Sequence, residues 1–211
     1  RPPIYMKPRE VETLFSTVHL DHFGPIKSYH PSKYSYVFSA ADSYSGYTIF
    51  QPAKTTSAEE TAAIFHEFWL MKYSFPLRIV TDRGASFLSA FMKTLTQLTS
   101  IKHLKSASFR PQTNSVVELK HRHLGHGLRA YLTPDVRDWS QLLAPIAFSY
   151  NILEQAGLGI SSYELLYGQK PRLPIETSII NETMKTGTPG FAQSFLPKWH
   201  IIRKVIDDNI R

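Results

Sequence analysis

The sequence predicts an α/β domain: a five-stranded mixed sheet flanked by helices. Three observations lead there. Residues 14–51 hold three short runs of strand character separated by turn residues, the pattern of antiparallel strands. Beyond them, short apolar runs alternate with segments of helical periodicity. Hydrophobic residues make up 42% of the 211, enough to bury a core. No apolar run approaches the roughly 20 residues that span a bilayer, so no membrane partner is expected.

Residues 1–12 are polar and proline-containing, and read as an N-terminal arm. Residues 14–22 fit a strand that Gly24-Pro25 ends. A second strand over 34–41 is followed by a turn at 42–46 and a third strand over 47–51. Residues 57–73 are helical, with Ser57 as N-cap and Glu60 completing a capping box. Ala62, Phe65, Phe68, Trp69 and Lys72 follow the helical spacing. A short strand over 77–81 runs into Asp82, and a helix over 89–99 precedes a strand over 102–108. After a polar loop at 109–113, Asn114 caps a long helix to about Tyr131, with Val117, Leu124, Leu128 and Leu132 on one side. Asp138 caps a further helix over 139–151. Residues 176–190 are polar and linker-like, and 199–210 form a last helix. The expected divisions are an arm at 1–12, a core at 13–175, and a linker with a helical extension at 176–211.

Lys and Arg number 24 against 17 Asp and Glu, a net charge of +7. That excess favours a polyanionic partner, although a merely basic soluble protein has the same balance. There are no cysteines, so no disulfide and no Cys-based zinc site is expected. No signal peptide is visible.

The chemistry is concentrated in three carboxylates. Asp21 interrupts an otherwise apolar strand, Asp82 ends another, and Glu118 sits on the long helix with 35 residues between it and Asp82. A buried lone carboxylate is costly unless paired or metal-bound. Three meeting at one place can hold two divalent cations about 3.5–4 Å apart, an arrangement that activates a nucleophile and stabilises a leaving oxygen. Hard oxygen ligands suit Mg²⁺ or Mn²⁺. The bland alternatives are an exposed strand-end Asp21, a turn-capping Asp82 and a solvated helix-face Glu118. Lys120, His121 and Arg122 form a basic run that would reach phosphates, or else a solvated face. His121, His123 and His126 do not share one helical face, so zinc is not expected there. Asp42 reads as a turn-former, since Asp bonds its own backbone well in turns.

The residues around the carboxylates carry a family resemblance. His19-Leu20-Asp21-His22-Phe23-Gly24-Pro25, Val80-Thr81-Asp82-Arg83-Gly84 and Pro111-Gln112-Thr113-Asn114-Ser115-Val116-Val117-Glu118 stand in order. So do Asp42-Ser43-Tyr44-Ser45-Gly46-Tyr47, the run 145–151 and the run 165–174. Together they resemble the catalytic core of retroviral and long-terminal-repeat retrotransposon integrases, with the gypsy-type group the nearest likeness, over roughly residues 5–175.

The resemblance implies an RNase H-like fold and a DDE-type polynucleotidyl transferase with endonuclease activity. Its catalytic and metal-binding residues would be Asp21, Asp82 and Glu118, with two Mg²⁺ (or Mn²⁺) ions and no zinc. It implies trimming of the 3′ ends of retroelement DNA and their joining to a target duplex, in the nucleus, by a homo-oligomer (dimer or tetramer). Gln112, Asn114 and Ser115 would lie on a loop approaching the DNA end, with Lys120, His121 and Arg122 beyond. The zinc module of two His and two Cys that usually precedes such cores is not in these 211 residues, and the abrupt start at Arg1-Pro2-Pro3 reads as that of a fragment. Ser115 stands where the family usually has Gly, and Leu119 where it usually has a basic residue. These departures leave room for a domesticated, catalytically idle module that binds DNA or protein. An RNase H or transposase of the same fold is a third reading, which the triad's flanks and the run 167–174 oppose.

Overall fold

The computed structural model describes residues 13–82, 99–105, 111–155 and 159–173. The segment before the first strand makes a tight turn, with Phe15 at φ +61° and the Ser16 N–H donating to Thr13 O at 3.0 Å. The first strand therefore begins at Thr17 rather than Leu14.

Strands β1 (Thr17–Phe23), β2 (Tyr36–Asp42) and β3 (Thr48–Ala53) form an antiparallel meander. β4 (Arg78–Thr81) runs parallel to β1 on its other side, and β5 (Lys102–Lys105) runs parallel to β4. The order is β3-β2-β1-β4-β5, the expected five-stranded mixed sheet. A parallel neighbour needs a crossover. The helix after β3 supplies the one into β4.

Asp42 fixes the β2–β3 hairpin as a turn residue. Its buried carboxylate accepts from the Phe15 N–H at 2.9 Å and from both the N–H and hydroxyl of Ser45 at 2.7 Å. Gly46, at φ +71°, closes the turn in a conformation that favours glycine. Gly24 is needed for close approach as well: an added Cβ would stand 2.9 Å from the Ser35 carbonyl oxygen.

Helix α1 (Ala58–Phe65) continues into a π-helical turn, His66–Leu70, so the expected helix changes its winding midway. Ser57 caps it, accepting from the Glu60 N–H at 3.3 Å. The other half of the capping box goes elsewhere. Glu60 accepts instead from the N–H groups of Lys54 and Thr55 at 2.7 and 2.8 Å and from the Thr55 hydroxyl at 2.6 Å.

Helix α2 (Pro111–Tyr131) starts three residues before the expected cap. Proline suits a first helical position because its missing N–H would have no partner there. Gln112, Asn114 and Ser115 therefore lie within the first turns of α2, not on a loop, and Asn114 is not its cap. Asp138 is a cap, accepting from Ser140 N–H at 3.0 Å and its hydroxyl at 2.7 Å. It starts a 3-10 turn, Trp139–Leu142, that leads into α3 (Leu143–Asn151). A last described helix, α4 (Ser162–Tyr167), has a complete capping box between Ser161 and Glu164.

The sheet's pleat divides the core in two. Val18, Leu20, Phe38, Ala40 and Ile79 pack with Phe65 of α1 and Trp69 of the π turn on one face. On the other face Val37 and Phe50 pack with Leu124 and Leu128 of α2, Trp139, and Ile146 of α3. The side-chain amide of Asn151 ties α3 to β3. It accepts from the Thr48 N–H at 2.9 Å and donates to the Thr48 carbonyl at 2.8 Å. The N-terminal arm, most of the helix expected at 89–99, the linker and the last helix lie outside the described residues. Among the described residues no helix is long and apolar enough to cross a membrane.

Candidate active site

Asp21 stands on β1, the central strand of the order, on the face that α2 covers. Its neighbours follow from register. Ser39 of β2 is its antiparallel partner. In the parallel β1–β4 pair, Leu20 faces Thr81. Asp82 follows Thr81 as Asp21 follows Leu20, so the two carboxylates stand on neighbouring strands, Asp21 within β1 and Asp82 just past the end of β4. Asp21 is part-buried and Asp82 is exposed.

The Asp21 Oδ1 accepts from the His22 N–H at 2.7 Å, while Oδ2 lies 3.7 Å from His121 Nδ1. His121 in turn places Nε2 at 3.2 Å from the Ser39 hydroxyl, which also donates to the Asp21 carbonyl at 3.2 Å. The Phe23 ring packs on the imidazole at 5.6 Å. Burial pushes the Asp21 carboxyl up to about 6, against the His22 hydrogen bond, and the Asp82 charge adds to the rise. Two like charges so close favour protonation of one, or a shared cation. Burial holds His22 down at about 4, although Asp82 and Glu60 pull it upward. His22 Nε2 lies 3.2 Å from the Thr61 hydroxyl of α1.

Glu118 lies on α2, with its side chain outside the described set. Among the described residues no group of three or more His, Cys, Asp or Glu forms a metal site. The side chains of Gln112, Asn114 and Ser115 also fall outside that set. Arg122 is exposed on α2.

Lys120 departs from expectation. It is 2% exposed, and its Nζ has no hydrogen-bond partner. Burial brings the ammonium down to about 7, with the Asp42 charge opposing. It is one helical turn from Leu124 and two from Leu128, in the row that packs on the sheet, so it does not face phosphates. His121, His123 and His126 diverge: His121 faces Asp21, His123 packs on the Tyr150 ring at 5.3 Å, and His126 is exposed.

Sequence reasoning missed Ser39 and the contact between His121 and Asp21. Ser39 was findable only through register, as the residue opposite Asp21.

Solved structures share this sheet and helix arrangement. The catalytic core domain of BIV integrase matches at TM-score 0.59 and 22% identity, covering 72% of this chain and 93% of that one. The HTLV-2 integrase catalytic core in complex with magnesium (trimeric form) matches at TM-score 0.56 and 21% identity, covering 71% and 95%. The fold is that of a retroviral-type integrase catalytic core. By sequence this chain is 27% identical over 164 residues to the retrovirus-related Pol polyprotein from transposon 412 of Drosophila melanogaster. That stretch is 77% of this chain and 13% of the polyprotein. It is 30% identical over 142 residues to the Pol polyprotein of Radiation murine leukemia virus (strain Kaplan), 66% of this chain and 24% of that polyprotein. The transposon relative fits the gypsy-type likeness. No family model matches the chain.

Proposed function

We propose that this chain is the catalytic core of a metal-dependent DNA integrase of DDE type. In this reading it trims the 3′ ends of retroelement DNA and joins them to a target duplex by phosphoryl transfer. The observation that carries the reading is the parallel β1–β4 register, which brings Asp21 of β1 and Asp82 just past β4 near enough for one charge to act on the other. The Pol relatives and the shared fold support it.

The donor set fits a hard cation. Asp21 and Asp82 offer carboxylate oxygens, and no thiol competes. Two Mg²⁺ (or Mn²⁺) ions would be held by Asp21, Asp82 and Glu118. The HTLV-2 core in complex with magnesium supports that choice of ion. Bound there, the ions would activate water or a 3′ hydroxyl and offset charge on the departing oxygen. The chain's own task is to hold the oxygens still. β1 fixes the Asp21 backbone in the sheet, His22 fixes Oδ1, and His121 flanks Oδ2.

DNA is the proposed substrate. Gln112, Asn114 and Ser115 on the first turns of α2 would meet the DNA end, and Arg122 its phosphates, while the ring nitrogens of His121 are turned to Asp21 and Ser39. A homo-oligomer follows because two ends must be joined in one event, and the HTLV-2 core has dimeric and trimeric forms. The nucleus is the matching compartment. The test is a disintegration reaction on branched DNA with Mg²⁺ or Mn²⁺, with and without chelator. Metal-dependent strand resealing is expected. No reaction by a folded, DNA-binding chain would leave an idle binding module.

A further inference from the structure

Resting on the metal-centre reading above, we propose that His103 of β5 is a positioning residue for Asp82 and acts through the Thr81 hydroxyl. Asp82 stands just past the end of β4, where the ladders to β1 and β5 end at Thr81 with partners Leu20 and Lys105. Thr81 is 1% exposed, and its hydroxyl donates to the Asp82 carbonyl at 2.9 Å. His103 Nε2 lies 2.9 Å from the same Oγ1. A hydroxyl has one proton to give. The Asp82 carbonyl takes it, so the imidazole donates from Nε2 and holds the hydroxyl in that direction.

The Asp82 carbonyl belongs to the peptide that follows it, so this bond limits rotation about ψ at Asp82. That backbone sets where the Asp82 carboxylate points, and a metal ligand must stay within about 0.5 Å of its productive place. Strand register puts His103 where it can act. In the parallel β4–β5 pair it faces Ile79, two residues before Thr81. Ile79 and Thr81 share a face by alternation. That face packs on Phe65 and Trp69, on the side of the sheet away from α2. The support therefore reaches Asp82 independently of the helix that carries Glu118.

The same device stands on the other side of the sheet. The Ser39 hydroxyl donates to the Asp21 carbonyl at 3.2 Å, and His121 Nε2 lies 3.2 Å from that hydroxyl. Each of the two aspartates thus has its own carbonyl held by a hydroxyl, and each hydroxyl is met by an imidazole Nε2. One pair reaches Asp21 from the α2 face, and the other reaches Asp82 from the α1 face.

The experiment measures Mn²⁺ binding to the 211-residue chain through loss of the free-ion electron paramagnetic resonance signal. Disintegration and melting are followed on the same samples. His103→Ala and Thr81→Val should each weaken Mn²⁺ binding about 10-fold, the low end of what losing a ligand's partner costs. Thr81→Ser should recover most of it, as should His103→Gln with its amide donor. Because His103 acts through Thr81, the double variant His103→Ala, Thr81→Val should bind Mn²⁺ no worse than Thr81→Val alone. The Mg²⁺ concentration for half-maximal disintegration should rise in the same order. Unchanged Mn²⁺ affinity in folded His103→Ala and Thr81→Val, even with lower melting temperatures, overturns the positioning role and leaves the integrase reading standing. Additive losses in the double variant overturn the route through Thr81. Should His103→Ala fail to fold, Thr81→Val against Thr81→Ser decides, and equal affinities overturn the proposal. A wild type that binds Mn²⁺ no better than Asp82→Asn overturns both readings.

Discussion

His121 Nδ1 lies 3.7 Å from Asp21 Oδ2, while its Nε2 lies 3.2 Å from the Ser39 hydroxyl. A helix residue is thus anchored to β2 and set against a carboxylate of β1. Partners of ligating groups orient them, and losing one typically costs about 10- to 100-fold in metal affinity or activity. His121→Ala should therefore raise the Mg²⁺ concentration for half-maximal disintegration by about that factor. His121→Asn, which keeps a hydrogen-bonding amide, should recover part of it. A merely structural histidine would lower stability and leave the Mg²⁺ dependence unchanged.

The amide of Asn151 takes both backbone groups of Thr48, at 2.9 and 2.8 Å. Asn151 is 3% exposed and Thr48 fully buried, so removing the amide strands two backbone groups away from water. Each such group costs about 1–3 kcal/mol. Asn151→Ala should lower the unfolding free energy in urea by about 2–4 kcal/mol. A loss within experimental error would mean that water or a shift of α3 replaces both bonds.

Much of this arrangement was legible in the sequence. Strand-like runs and turn residues gave the meander, and the apolar run before Asp82 gave β4. The Asp42-to-Tyr47 spacing gave a turn whose buried carboxylate does what its residue type suggested. The α2 start was misplaced because Pro111-Gln112-Thr113-Asn114 reads as a loop when proline is treated as a breaker rather than a first helical residue. Lys120 was misplaced because its charge outweighed its position. It shares the four-residue spacing of Leu124 and Leu128, and that spacing decided its burial. The Asp21–His121 contact depends on how α2 lies across β1, which local sequence does not encode.

Lys120 and Arg122 should now behave differently. The buried ammonium lacks a hydrogen-bond partner, whereas Arg122 is exposed. Lys120→Met should keep the salt slope of DNA binding and leave stability equal or higher, because an apolar chain of similar length avoids desolvating a charge. Arg122→Gln should reduce the slope by roughly one. A reduced slope for Lys120→Met, in filter binding across salt concentrations, would place that ammonium on DNA after all.

Glu60 should contribute to the acid limb of stability. Burial works against its charge, but hydrogen bonds from the Thr55 hydroxyl and the N–H groups of Lys54 and Thr55 outweigh it and hold the carboxyl below its usual range. The folded state then binds fewer protons than the unfolded one in the acid range. The contribution is present above the ordinary glutamate value of about 4.3 and is lost as pH falls through the lower folded value. Glu60→Gln should melt lower than wild type near neutrality, with the gap closing on acidification. A gap independent of pH would assign the loss to packing.

The most direct test is Asp82→Asn in the metal-dependent disintegration reaction, with far-ultraviolet circular dichroism and melting measured on the same sample. Asp82 is exposed at the end of β4, so the substitution should leave the fold intact. The account predicts loss of Mg²⁺- and Mn²⁺-dependent activity in a fully folded variant. Activity equal to wild type in that variant would contradict the assignment of Asp82, beside Asp21, to the metal-binding centre.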